Sequence, residues 1–193
     1  MKLIFSIVLL GCTLLFSGCG NSEEDSSAEN SEQVHENLTK SNFEMFTPDD
    51  WETVDEKKYP KNIILLKREP KLSSDFSTLI SVSSENLSYD SLLRFTQENL
   101  ENIRKNSQDF QILEQESVEL SSGINAYLVE YSDWYSRGNK RIHFYDLYVI
   151  DQENNTSYSV QIIHDPKLTE DHKTFLKEKI LKSFTLPSTT NEE

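Results

Sequence analysis

Arg141-Ile142-His143-Phe144-Tyr145-Asp146-Leu147-Tyr148-Val149-Ile150 (RIHFYDLYVI, residues 141–150) decides the reading of the fold. Its apolar residues fall on both alternate sets: Ile142, Phe144, Tyr148 and Ile150 on one, Tyr145, Leu147 and Val149 on the other. A strand with one wet face alternates cleanly, so a strand apolar on both faces is covered on both. The stretch therefore predicts an α+β fold, a mainly antiparallel β-sheet flanked by helices on both faces.

The neighbouring segments fit that reading. Ile124 to Tyr135 is a long strand joined to it through Arg137-Gly138-Asn139, and Thr156 to Ile163 follows the Gln152–Asn155 turn as a further hairpin partner. Upstream, Phe43–Phe46, Ile63–Lys67 and Phe76–Val82 read as strands, the last with Phe76, Thr78, Ile80 and Val82 in alternation. Phe110–Leu120 is extended and ends in the turn Ser121-Ser122-Gly123. Ser88 is expected to cap a helix with Asp90 in its first turn, since Leu92, Phe95, Asn99 or Leu100, and Ile103 share one helical face. Asp165-Pro166 predicts a second helix with proline at its first position. Leu168, Phe175, Leu176 and Ile180 mark its buried face, and Glu178 can pair with Lys182.

The start of the chain has a different character. Met1-Lys2 and the apolar run Leu3–Phe16 form a secretory signal, because a spanning helix needs about 20 apolar residues and this run is shorter. Leu15-Phe16-Ser17-Gly18-Cys19 resembles the bacterial lipobox, although Phe16 stands where leucine is commonest. The resemblance implies that Cys19 takes a diacylglycerol and becomes the first residue of the mature protein. Cys12 has too short an apolar stretch before it for that role. Two or more acyl chains give stable attachment where one is marginal. The expected organisation is a lipoprotein signal peptide at 1–18, a lipid-anchored flexible acidic tether at 19–40, a globular domain at 41–187 and a polar tail at 188–193. The tether has only Val34 and Leu38 as larger apolar residues and cannot offset its ordering entropy by burial.

Composition narrows the function. The 193 residues include 19 basic and 33 acidic ones, a formal charge of −14. Loss of residues 1–18 would remove one lysine and no acid, leaving 18 basic against 33 acidic residues. Such a surface repels nucleic acid phosphates and anionic lipid, so neither is expected as a main partner. With Cys19 acylated, no thiol remains for a disulfide, catalysis or a metal.

The chain also resembles the PsbP-like family (the Mog/PsbP fold), which includes many bacterial lipoproteins. The residues that carry the resemblance are Phe43-x-x-Phe46-x-Pro48-x-x-Trp51 and the helix within Ser88–Asn106. They continue in Val118-x-Leu120-x-x-Gly123-x-x-Ala126-x-x-x-x-Tyr131 and Ile180-x-x-Ser183-Phe184. It implies an antiparallel sheet between helices, Trp51 anchoring the first strand, Gly123 in a tight turn, and an accessory or binding role rather than catalysis.

Motifs for chemistry are scarce. The sequence has no His-Glu-x-x-His, Cys/His cluster, Gly-x-Ser-x-Gly or Gly-rich phosphate loop. Asp49-Asp50 and Glu23-Glu24-Asp25 lack EF-hand spacing and are expected by chance at this acid content. His143 and His164 would stand opposite one another in a hairpin whose register sums to 307, where an acid such as Asp165 could complete a metal site; two strand-end histidines are the plainer reading. The sharpest surface feature is Tyr131–Tyr145, where Trp134, Tyr135, Arg137, Lys140 and Arg141 gather at a hairpin tip. Aromatics and arginine are enriched at interfaces, and cross-strand pairs beside a solvated turn are the plainer alternative. The expectation is a non-catalytic binding or accessory module of the cell envelope, without a cofactor, held at the membrane by acylated Cys19. Its partner would be an envelope protein or ligand. The alternative is a small-ligand or metal carrier, or an enzyme whose site carries no motif.

Overall fold

The computed structural model describes residues 43–55, 62–70, 76–136 and 138–186. The signal-peptide, tether and tail expectations, Cys19 and Arg137 lie outside the described residues. Among the described residues seven strands form one sheet: β1 (Glu52–Thr53), β2 (Ile63–Arg68), β3 (Leu79–Asn86), β4 (Gln111–Glu119), β5 (Asn125–Tyr135), β6 (Lys140–Asp151) and β7 (Thr156–His164). Their order is β1-β2-β3-β7-β6-β5-β4 and every pairing is antiparallel. The stretch 141–150 lies inside the sheet, between β5 and β7, as its two-sided apolar pattern requires.

Helices cover both faces. Helix α1 (Leu92–Asn106) lays Phe95, Leu100 and Ile103 on Val129, Tyr131, Ile142, Phe144, Tyr148 and Ile163. Tyr131 and Phe144 stack at 4.6 Å, and Phe95 meets Tyr148 edge-on at 5.5 Å. On the other face, α2 (Glu170–Thr174) runs into a π-helical turn (Phe175–Ile180) and a 3-10 turn (Leu181–Ser183). Leu176, Ile180, Leu181 and Phe184 pack there with Tyr145, Leu147, Val149, Val160 and Ile162, and Phe43 and Trp51 close the same core. The Glu178–Lys182 pair forms at 2.8 Å.

Several local expectations are corrected. Phe43–Phe46 is not a strand: it makes one isolated bridge, Glu44 to Thr185, and Phe43 is held by packing against Tyr158 and Phe184 instead. The strand expected at Phe76–Val82 starts later, as β3 at Leu79. The α1 cap is Ser91, whose Oγ accepts from Arg94 N, rather than Ser88; Asp90 precedes the cap and pairs with Arg94. Asp165-Pro166 forms a turn, with Asp165 Oδ1 accepting from Lys167 N, and Thr169 caps α2 instead. Both misplaced caps come from the same cause, several cap-competent residues within one turn of the true start. Gly123 sits in the β4–β5 turn at φ +79°, where a side chain would be strained, as the family pattern implies.

Candidate interaction surface

The β5–β6 hairpin sets the geometry of the tip. Trp134 stands opposite Arg141 and Tyr135 opposite Lys140. Trp134 is 38% exposed. Asp133 fixes its backbone, since Asp133 Oδ1 accepts from Trp134 N at 2.7 Å and from Asp109 N at 2.9 Å. Tyr135 is half-buried against the α1-side core. Its ring lies over the turn, where a methyl group at Gly138 would come within 2.6 Å of Tyr135 Cδ1.

The two described cations of the tip are committed within the chain. Lys140 Nζ donates to Asp165 Oδ2 at 3.1 Å and lies 4.9 Å from the Phe76 ring centre. Arg141 forms an ion pair with Asp109 and donates to Ser132 Oγ at 2.9 Å. Two of the expected contact cations therefore brace the hairpin, leaving Trp134 as its outward-facing apolar residue among those described.

The strand beside this tip, β4, carries a second exposed apolar feature. Strand β4 is a sheet edge, and Gln111–Ser117 are exposed without a break. Ile112 and Leu113 are 43% and 48% exposed. Ile112 pairs with Tyr131, three residues before Trp134, so the two positions are separated by about 10 Å along the strands and their side chains project from opposite faces of the sheet edge. The register shifts between Ile112 and Glu114, a bulge at Leu113; from Glu114 to Glu119 pairing with β5 is continuous. The signal that could have found this surface is Ile112-Leu113 beside acids in a strand whose other residues are almost all polar.

Inside, ionisable groups are tied to one another. Beneath α1, fully buried Asp146 accepts from Tyr148 Oη at 3.0 Å, Tyr131 Oη at 3.3 Å and Gln161 Nε2 at 3.0 Å. Burial raises its pKa to about 6, and the hydrogen bonds from Gln161, Tyr148 and Tyr131 hold it partly back. On the opposite face, Lys177 Nζ reaches Glu130 at 2.8 Å and Glu114 at 3.1 Å, and lies 4.9 Å from the Tyr145 ring centre. Burial works against the Lys177 charge, but its hydrogen bonds to Glu130 and Glu114 outweigh that and raise its pKa. Burial also pushes the Tyr145 hydroxyl up to about 12.

His143 and His164 stand directly opposite one another in the register that sums to 307, with rings 5.6 Å apart. His164 Nδ1 lies 3.0 Å from Asp165 O, and His143 Nδ1 lies 3.7 Å from Glu130 Oε1. Burial lowers the pKa of both, that of His164 to about 4, and so favours the neutral ring in each. Among the described residues no group of three or more His, Cys, Asp and Glu side chains could hold a metal ion. Nor is any helix among them long and apolar enough to cross a membrane.

No protein-family model matches the chain, and no curated protein matches its sequence. Solved structures do resemble it. LpqN of Mycobacterium tuberculosis, involved in cell envelope biogenesis, matches with TM-score 0.53 at 16% identity, over 75% of this chain and 83% of that one. A Pseudomonas aeruginosa protein of unknown function matches with TM-score 0.52 at 13% identity, over 71% of this chain and 92% of its own. The Ran-binding protein Mog1p of Saccharomyces cerevisiae matches with TM-score 0.51 at 11% identity, over 75% and 90%. The sheet and its helices thus have the Mog1/PsbP-like fold. At these identities the likeness concerns the fold, which hosts unrelated functions.

Proposed function

We propose that this chain is a lipid-anchored, non-catalytic accessory module of the bacterial cell envelope. It binds another envelope protein at the corner of its sheet where β4 meets the β5–β6 hairpin. The observation that carries the reading is where the exposed apolar side chains stand, on edge strand β4 and the adjoining end of β5. Of the five large ones exposed among the described residues, Ile112, Leu113 and Trp134 lie at this corner; the other two are Phe46 and Leu93. Scattered single apolar residues are ordinary, whereas three of them along one sheet edge favour a contact there. A neighbour of the same fold, LpqN, is involved in cell envelope biogenesis, which supports the location. Cys19 at the end of its apolar leader supplies the anchor.

Two experiments test this reading. Cys19→Ala should leave an uncut precursor or a released protein, read by intact mass and membrane fractionation; unchanged mass and fractionation would refute the anchor. Trp134→Ala combined with Arg137→Ala should abolish capture of crosslinked envelope partners while the circular dichroism spectrum and Tm stay nearly unchanged. A folded double variant that retains every partner would place the contact elsewhere.

A further inference from the structure

Strand β4 offers more than an apolar corner. From Glu114 to Glu119 it pairs with β5 continuously, and its outer side is the end of the sheet. An edge strand turns alternate N–H and C=O groups outward, a template for one more strand. Glu114 is held by Lys177, while Glu116 and Glu119 have no ion pair among the described residues. Glu116 stands opposite Leu128 and Glu119 opposite Asn125, so the two carboxylates project from opposite faces of the strand.

These charges select the occupant. A second copy would bring its own run of glutamates, on a chain of formal charge −14, against this one, and like charges disfavour that approach. The chain's own segment 20–40 is excluded for the same reason, since it carries Glu23, Glu24, Asp25, Glu29, Glu32 and Glu36 against the single Lys40. A segment with cations three residues apart meets both carboxylates, one on each face, and an apolar residue beyond them meets Ile112 and Leu113. We propose that the outer edge of β4 receives an extended, lysine- or arginine-bearing segment of a partner protein as an eighth strand. Backbone hydrogen bonds would supply the pairing, and Glu116 and Glu119 would discriminate by charge. The proposal rests on the binding-module reading and names the class of partner it takes.

The test uses the acylated full chain in a non-ionic detergent and an end-blocked octapeptide, Lys-Val-Thr-Lys-Thr-Thr-Val-Val. Hydrogen exchange should show protection of β4 amides on titration, and binding should weaken as salt rises. Glu116→Lys with Glu119→Lys should weaken binding by about tenfold, and a peptide with both lysines replaced by glutamate should restore it on that variant. A peptide N-methylated at alternate residues keeps its charge but cannot pair as a strand, and its binding should be lost. Equal binding of the N-methylated peptide would overturn the proposal as mere charge attraction. So would no protection of β4 at millimolar peptide, or failure of the charge swap. If the peptide fails while the Trp134/Arg137 variant still loses its partners, the binding module stands and the eighth strand falls. If the peptide protects β4 but the variant keeps every partner, the tip reading falls instead.

Discussion

Replacing Trp51 with alanine should destabilise the domain by about 3–5 kcal/mol, the cost of deleting a core aromatic. Trp51 is 6% exposed and belongs to the cluster with Phe43, Leu65, Val82 and Phe184. Its N donates to Pro48 O at 3.1 Å, so the turn before it and the core behind it fix it together. Its removal leaves a cavity where the N-terminal arm closes over the sheet, and nearby side chains collapse into such a space only partly. The measurement is the denaturant midpoint at constant slope. A shift near zero would mean that Trp51 does not anchor the arm.

The second large effect concerns pH. Asp146 has a folded pKa of about 6 against an ordinary 3.8, so its contribution is fully present below 3.8 and is lost as pH rises through about 6. His164 has a folded pKa of about 4 against 6.5, so its contribution is present above 6.5 and is lost as pH falls through about 4. Between pH 7 and pH 5 the two groups oppose each other. Relative to the unaltered chain, Asp146→Asn should therefore lose about 1 kcal/mol more stability on acidification from pH 7 to 5. His164→Leu should lose about 2 kcal/mol less over the same range. Denaturant melts of the three proteins at both pH values give the comparison directly. Changes of the same sign in both variants would contradict the burial of one of the two groups.

The sheet was legible where sequence pattern reports burial directly. The two-sided run 141–150 places β6 inside the sheet, whereas the sequence leaves the histidine register open to a one-residue shift, and only the structure sets His143 opposite His164. Helix α1 was found by its Phe95, Leu100 and Ile103 face. Its start was missed by three residues because Ser88, Asp90 and Ser91 all have capping side chains, and only tertiary packing decides among them. The second helix was misplaced because Asp165-Pro166 has the composition of both a turn and a helix start. The candidate surface was half legible. Trp134 is 38% exposed, but whether Lys140 and Arg141 face a partner depends on Asp165 and Asp109, which are distant in sequence. The Asp146 network had a readable sign, an acid within a strand covered on both faces, which requires hydrogen-bond partners. Its partners Tyr131 and Gln161 come from the flanking strands, so their identity depends on register.

The most direct measurement of whether the β4/β5–β6 corner meets a partner is site-specific photo-crosslinking in the intact envelope. A photoreactive residue replaces Trp134 in one strain, Ile112 in a second and Leu93 in a third. Leu93 is 51% exposed on helix α1, outside the proposed corner, and serves as an equally accessible control. Positions 134 and 112 should give the same crosslinked partner, with little or none of it at 93. Equal crosslinking at all three positions, or none at 134 and 112, would contradict the corner as a docking site.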